Sequence, residues 1–199
     1  MNSLNATITA VGGYVPEYVL TNKILESMVE TNDEWIVSRT GIKERRILKG
    51  NELGSSFLAI NAAKDLLAKK NIDPTTIDLV IVATATPDMQ AASTASYTAT
   101  QIGAINAFSF DMDAACSSFL FGMSVAARYI ESGAYKKVLL IGADKNSSMI
   151  DYTDRATCII FGDGAGAVLF EPNNEGLGMQ DEILKTCLLY TSPSPRDRG

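Results

Sequence analysis

Cys116 is the residue whose surroundings most favour covalent chemistry. It lies in the segment DMDAACSSF, residues 111–119, where small side chains permit a tight turn between a strand and a helix. A comparable turn, the nucleophile elbow, presents the catalytic serine of serine hydrolases. At the amino end of a helix, the dipole and the free amide groups favour a negative thiolate and could help to hold an oxyanion. We therefore predict that Cys116 is a nucleophile; a buried structural cysteine is the alternative.

Few other groups in the chain could assist this thiol. The 199 residues include three cysteines and no histidine, which excludes a Cys–His pair within this chain. Cys158 has apolar neighbours and is predicted to be a small core residue, whereas Cys187 belongs to the carboxyl-terminal tail. The cysteines lack the paired spacing of metal ligands, so we expect no metal site.

Trp35 and Arg39 form a second candidate constellation. They are four residues apart on a helix predicted to begin after Thr31 or Asn32, and they therefore share a face. An indole can stack on a base while a guanidinium binds phosphate. Core packing is the alternative for this tryptophan. The basic run from Arg39 to Lys49 is either a solvated loop or a phosphate-binding region.

The composition narrows the class of protein. The chain is 46% hydrophobic and 20% charged, as expected for a globular protein, and its net charge of -6 argues against a nucleic-acid interface. No apolar run approaches the roughly 20 residues that span a bilayer. The first ten residues lack the features of a secretion signal. We expect a cytoplasmic protein that binds neither nucleic acid nor membrane.

Strands and helices are predicted to alternate along the chain. Continuous apolar runs at 77–85 and 137–143 predict strands buried on both faces, which is typical of a parallel sheet. The glycines of 161–167 have the wrong spacing for a dinucleotide loop and predict a closely packed turn braced by Asp163. The fold class is α/β, with helices layered on both faces of a mixed, largely parallel sheet. Further strands are predicted at 4–15, 107–112 and 165–170, and helices at 21–29, 33–41, 55–70, 94–102 and 116–132.

Several motifs, taken in order, resemble those of one known family. They are TNDEWIVSRTGI (31–42), TPD (86–88), AAC (114–116), DR (154–155) and FGDGAGA (161–167). Their order and spacing are similar to those of the β-ketoacyl-acyl-carrier-protein synthase III family, the condensing enzymes that start type II fatty-acid synthesis. The resemblance implies a homodimer with a thiolase-like fold of two similar halves, of which this chain is the amino-terminal one.

The resemblance also implies roles for individual residues. The cysteine that matches Cys116 takes an acyl group from an acyl-coenzyme A, and the acyl-enzyme then condenses with malonyl-carrier protein, which loses carbon dioxide. Acyl-coenzyme A is a substrate, and no cofactor is implied. Phe161 would line the acyl channel. The coenzyme A residues would be Trp35 and Arg155 around the adenine, Thr31 near it, and Arg39 at the phosphates.

The chain departs from the family pattern in two respects. The family's catalytic histidine and asparagine belong to the second half, so this chain alone is expected to be inactive. After TPD the family often has an aromatic residue and a proline, whereas residues 89–92 are MQAA. In the family, that aromatic side chain shapes the acyl pocket from across the dimer. Ala91 would therefore widen the pocket and admit longer or branched primers.

Two other functions fit the same motifs. One is a thiolase-fold acyltransferase of secondary metabolism that uses the same cysteine on another acyl partner. The other is a catalytically silent protein that only binds acyl-coenzyme A. Intact Cys116, Trp35, Arg39 and Arg155 favour an enzyme over the silent protein.

The last residues have a different character from the rest. From Ile183 onward the sequence shows no periodicity, and residues 187–197 resemble one reading frame of a sequencing adapter. We interpret residues 1–182 as the thiolase-like half-domain and residues 183–199 as read-through. A disordered tail rich in proline and serine is the alternative.

Overall fold

The computed structural model describes residues 4–185, and the end of the tail, with Cys187, lies outside the described residues. The strands are β1 (Asn5–Tyr14), β2 (Tyr18–Thr21), β3 (Glu44–Ile47), β4 (Leu79–Ala83), β5 (Phe108–Met112), β6 (Val138–Lys145) and β7 (Asp163–Asn173). The α-helices are α1 (Asn22–Leu25), α2 (Asp33–Thr40), α3 (Ser55–Lys70), α4 (Thr94–Ile102) and α5 (Ser118–Glu131). Short 3-10 turns lie at Pro74–Thr76, Ala115–Ser117 and Asn146–Ser148.

The main sheet has five strands in the order β1-β7-β6-β4-β5. Strand β4 runs parallel to both β5 and β6, whereas β7 runs antiparallel to both β6 and β1. The α/β class and the mixed sheet are confirmed, with a larger antiparallel share than we predicted. The physical reason is that a parallel return needs a crossover, usually a helix, and no α-helix lies between β6 and β7 in the described chain.

Strand β4 is buried on both faces, as its continuous apolar run predicted. Val80 and Val82 pack in the core beneath α3 and α4. Leu79 and Ile81 point the other way, into the core beneath α5. The alternation of side chains along the strand therefore divides the interior into two layers, one on each face of the sheet.

A small satellite layer contains strands β2 and β3, which pair antiparallel. These two strands were not predicted, because each has only four residues and β3 has the charged sequence ERRI. They pack with α1, α2 and the segment before β7 around a separate core. Its buried members are Leu20, Leu25, Ile36, Ile47, Cys158 and Ile159.

Part of the apolar surface is exposed. Helix α5 carries Leu120 with 60% of its surface exposed, and Ile105, in the loop before edge strand β5, is 75% exposed. Exposed apolar patches and unpaired edge strands are typical of interaction surfaces. None of the helices within residues 4–185 combines the length and the apolar character that a membrane span requires.

Substitution of Gly12 tests how closely β1 packs against α3. A Cβ at Gly12 would lie 2.5 Å from the carbonyl oxygen of Ala62 and 2.5 Å from the backbone nitrogen of Leu66. Backbone atoms cannot move aside as a flexible side chain can, so we expect Gly12→Ala to lower the free energy of unfolding by about 1–3 kcal/mol. Urea denaturation of the two proteins measures the difference.

Gly166 provides the matched control. It lies on β7, one pair along the same ladder, and a Cβ there meets nothing within 4 Å. Gly166→Ala should leave stability unchanged or raise it slightly. Equal losses in both variants would contradict this description of the packing.

Candidate active site at the carboxyl edge of the sheet

Cys116 lies between β5 and α5, in the middle of the turn Ala115–Ser117, and its side chain is exposed. Ala115 has a φ of 49°, in the left-handed region that residues with a Cβ rarely adopt. Among the described non-glycine residues, only Asn71 shares this conformation, at the end of α3. Backbone strain is therefore concentrated at the residue before the thiol, as is common where a functional group must be presented.

Two side chains hold this turn. The hydroxyl of buried Ser118 accepts a hydrogen bond from the backbone nitrogen of Ala114 at 2.5 Å and donates one to the carbonyl of Ala115 at 2.7 Å. The carboxylate of Asp113 accepts from the backbone nitrogen of Ala115 at 2.9 Å. We did not predict either role. An acidic residue two positions before a tight turn was the available signal, because aspartate side chains often bond to the backbone two residues on.

The sheet gathers the candidate catalytic and channel segments at one edge. Strands β4, β5 and β6 are parallel, so their carboxyl ends share an edge, and β7 begins there because Asp163 pairs with Lys145. The loop that contains Ala91 follows β4, the turn of Cys116 follows β5, and Phe161 precedes β7. Ligands in open α/β sheets bind at such a carboxyl edge.

Phe161 and Ala91 occupy exposed positions at this edge. Phe161 is 37% exposed and is separated from the buried pair Cys158 and Ile159 by the exposed Ile160. Ala91 is exposed in the loop that joins β4 to α4. Both residues are predicted to contact an acyl chain in the complete dimer. Both roles therefore stay predictions.

The remaining polar groups at the edge tie its loops together. Asp144 accepts hydrogen bonds from the hydroxyl of Thr84 at 3.0 Å and from the backbone nitrogen of Ala85 at 2.8 Å, which joins β6 to the loop after β4. Asp163 accepts from the backbone nitrogens of Leu48 and Ser147, both at 2.8 Å. The predicted glycine turn at 161–167 is wrong from Asp163 onward, because β7 begins there, and Asp163 ties the start of this strand to the segments that follow β3 and β6.

Trp35, Arg39 and Arg155 come together at the satellite layer. The guanidinium carbon of Arg39 lies 4.4 Å from the centroid of the Trp35 ring, and that of Arg155 lies 5.1 Å from it. Arg155 also donates a hydrogen bond to the carbonyl of Glu30 at 3.1 Å. Asn32 caps α2 through the backbone nitrogen of Trp35 at 2.8 Å and so fixes the start of the helix. We call Trp35, Arg39 and Arg155 the aromatic–arginine cluster.

The spacing in this cluster bears on the predicted adenine site. A planar base between Trp35 and Arg155 needs a van der Waals contact on each side, a separation of about 7 Å in total. The present 5.1 Å is smaller, so Arg155 would have to move outward by roughly 2 Å to admit a base. Thr31 lies at the base of α2, and its buried hydroxyl oxygen has no hydrogen-bond partner within the described part of the chain.

The basic run does not form one surface. Arg39 and Lys43 are exposed, but Arg45 is buried with 5% exposure and bonds to protein carbonyls. Lys49 lies 4.1 Å from the ring centroid of Tyr18. The phosphate-binding interpretation of the whole run is therefore wrong for Arg45, because β3 turns alternate side chains inward.

Cys158 is buried with 1% exposure, which agrees with its prediction as a core residue. Burial raises the pKa of its thiol, and the negative charge of Asp154 adds to the effect. Between residues 4 and 185, no group of three or more potential metal ligands is assembled.

Comparisons of the sequence and of the structure with known proteins point to the same family. The family described as 3-oxoacyl-[acyl-carrier-protein] synthase III matches residues 110–187. The β-ketoacyl-[acyl-carrier-protein] synthase III 2 of Bacteroides thetaiotaomicron is 57% identical over 186 residues, which cover 94% of this chain and 56% of that protein. The chain therefore spans about half the length of the curated relatives it matches.

Two solved structures share the fold. The 3-oxoacyl-[acyl-carrier-protein] synthase III of Aquifex aeolicus superposes with a TM-score of 0.82 and 46% identity, over 85% of this chain and 55% of that one. The priming β-ketosynthase of a polyketide pathway also gives a TM-score of 0.82, at 35% identity, over 85% of this chain and 50% of that one. The sequence and the fold together show that the chain belongs to the β-ketoacyl-acyl-carrier-protein synthase III family, with its thiolase-like fold.

Proposed function

We propose that this chain is the cysteine-bearing part of an acyltransferase that starts fatty-acid synthesis. In the complete enzyme, Cys116 takes an acyl group from acyl-coenzyme A and passes it to malonyl-acyl-carrier protein. The observation that carries the proposal is the exposed thiol on a strained turn at the amino end of the 14-residue helix α5. Names of relatives at 57% and 46% identity support the same reaction.

The chemistry follows from the position of the thiol. The thiolate of Cys116 attacks the thioester carbonyl, a new thioester forms on the enzyme, and the thiol of coenzyme A leaves with a proton. Backbone amides at the start of α5 are placed to stabilise negative charge on the thiolate or on the tetrahedral oxyanion. Decarboxylation of the malonyl group then supplies a carbanion. It attacks the acyl-cysteine, forms the β-ketoacyl product and releases Cys116.

The aromatic–arginine cluster is the proposed site for the nucleotide end of acyl-coenzyme A. Trp35 offers a stacking face, and two guanidinium groups lie within 5.1 Å of its centroid. The exposed position of Arg39 suits a phosphate. Arg155 would move outward to enclose the adenine against Trp35, and Thr31, four residues before Trp35, is the proposed third contact.

The complete enzyme is proposed to be a cytoplasmic homodimer that needs no cofactor beyond its substrates and binds neither nucleic acid nor membrane. The free edge of β5 and the exposed apolar surface of α5 are consistent with further protein contacts. The histidine and asparagine that the family uses for decarboxylation belong to its second half. We expect no condensation from the present chain alone.

A second candidate function is the priming step of a secondary-metabolite pathway. The observation that supports it is the similarity to the priming β-ketosynthase, with a TM-score of 0.82 at 35% identity. Both candidates require acylation of Cys116 and differ in the acyl group and the carrier protein. Turnover with carrier proteins of the two pathways separates them.

Acylation of Cys116 is the test of the proposed function. We expect incubation of the complete enzyme with acetyl-coenzyme A to add one acetyl group, which peptide mass spectrometry locates on Cys116. Cys116→Ala should abolish the adduct. Cys158→Ala is the matched control and should retain it, because Cys158 is buried. A folded enzyme with no adduct, or with the adduct on Cys158, would overturn the proposal.

Ala91 is expected to set the width of the acyl pocket in the complete dimer. Ala91→Phe should lower kcat/KM for long or branched acyl-coenzyme A by roughly tenfold or more while acetyl-coenzyme A is retained, since filling a pocket excludes extra methylene groups. Ala92→Phe, at the next exposed position, is the control. The hypothesis is wrong if the native enzyme turns over acetyl-coenzyme A as well as or better than every longer primer.

A further inference from the structure

Within residues 4–185, Arg45 is a buried cation that pairs with no carboxylate. Its guanidinium donates to the carbonyl of Leu20 at 3.2 Å, to the side-chain oxygen of Asn22 at 2.9 Å and to the carbonyl of Ile159 at 2.7 Å. None of the ion pairs found within residues 4–185 includes Arg45. Burial lowers the pKa of this guanidinium because it disfavours the charged form. A charge held this way costs stability that an apolar side chain would not.

The Nη1 nitrogen of Arg45 is linked through Asn22 to the helix that carries Trp35. Asn22 is buried with 1% exposure, and its amide nitrogen donates to the carboxylate of Asp33 and to the carbonyl of Ile42, both at 2.8 Å. Asp33 is the first residue of α2, two positions before Trp35. The chain of bonds from Arg45 through Asn22 therefore fixes the amino end of α2.

The Nη2 nitrogen of Arg45 bonds to the segment that carries Arg155. Ile159 is buried with 3% exposure and accepts the shortest of the three Arg45 bonds. Its neighbour Cys158 donates a backbone hydrogen bond to the carbonyl of Asp154 at 3.1 Å, which closes a turn around Arg155. A displacement of Ile159 would therefore be passed to Arg155.

Arg45 therefore contacts both parts of the aromatic–arginine cluster. It is linked through Asn22 to the start of α2, which carries Trp35, and through Ile159 to the segment before β7, which carries Arg155. Apolar contacts in the satellite core bring α2 and the segment before β7 together, but they are not directional. The fork of a guanidinium is rigid and fixes both distance and orientation. We propose that Arg45 is a positioning residue, which fixes the backbone segments of Trp35 and Arg155 relative to each other, so that only the Arg155 side chain has to move to admit the nucleotide of acyl-coenzyme A; this inference rests on the proposed function.

The experiment compares two acyl donors in the complete enzyme. Acetyl-coenzyme A carries the nucleotide, and acetyl-pantetheine carries the same thioester without it. We expect Arg45→Met to raise the concentration of acetyl-coenzyme A that gives half-maximal acylation of Cys116 by about tenfold, the size expected for losing a bond to a charged group. The maximal rate should change less than about twofold, and the response to acetyl-pantetheine should stay the same.

Arg46→Met is the matched control. Arg46 follows Arg45 on β3 and faces the other way, with a bond to the carbonyl of Pro16 at 3.3 Å and a weak ion pair to Glu44 at 3.9 Å. It should respond as the native enzyme does to both donors. If Arg45→Met does not fold, Arg45→Lys keeps the charge but not the fork, and should raise the half-maximal concentration for acetyl-coenzyme A alone.

The outcomes separate the two proposals. Failure of the native enzyme to form any acyl-Cys116 would overturn the proposed function. Native acylation, combined with Arg45 variants that affect both donors equally or neither donor, would overturn the positioning role. A selective loss with acetyl-coenzyme A, absent in Arg46→Met, is the result that supports it.

Discussion

The common direction of β4, β5 and β6 is the constraint on which the site depends. Parallel strands end at the same edge, so the turn of Cys116, the loop of Ala91 and the segment of Phe161 are gathered there although they are far apart in sequence. Buried apolar side chains on both faces of β4 fix the register of this arrangement. The strained turn at Ala115 can then be held by two local side chains, because the strand before it and the helix after it are already fixed.

The proposed nucleotide end of the site is built differently. Trp35 and Arg155 belong to short segments around a small core, and no long strand or helix joins them directly. Directional hydrogen bonds from Arg45 reach both segments and supplement the limited packing that sets their relative positions. This difference suits the proposed function, because the thiol needs a rigid platform whereas Arg155, 5.1 Å from the centroid of the Trp35 ring, has to move to admit a base.

The sequence predicted those parts of the molecule that depend on local pattern. Helix α3 occupies residues 55–70, as predicted, and β4 falls within the predicted run 77–85. Strand β6 begins within the predicted run 137–143 but continues to Lys145. The role of Cys116 was inferred from a turn between strand and helix, which the structure contains. Strands β2 and β3 were missed, because four-residue strands with charged side chains carry little periodic signal. The buried position of Arg45 was also missed, since its partner Ile159 is 114 residues away and only the folded chain brings them together.

The proposed reaction depends on a covalent acyl-enzyme at Cys116. Exchange of labelled coenzyme A into acetyl-coenzyme A, catalysed by the complete enzyme without any malonyl-carrier protein, measures it most directly. Because transfer to Cys116 is a reversible half-reaction that needs no acceptor, we predict exchange in the native enzyme and none in Cys116→Ala. An active enzyme that exchanges label only when malonyl-carrier protein is present, or that still exchanges without Cys116, would contradict the account.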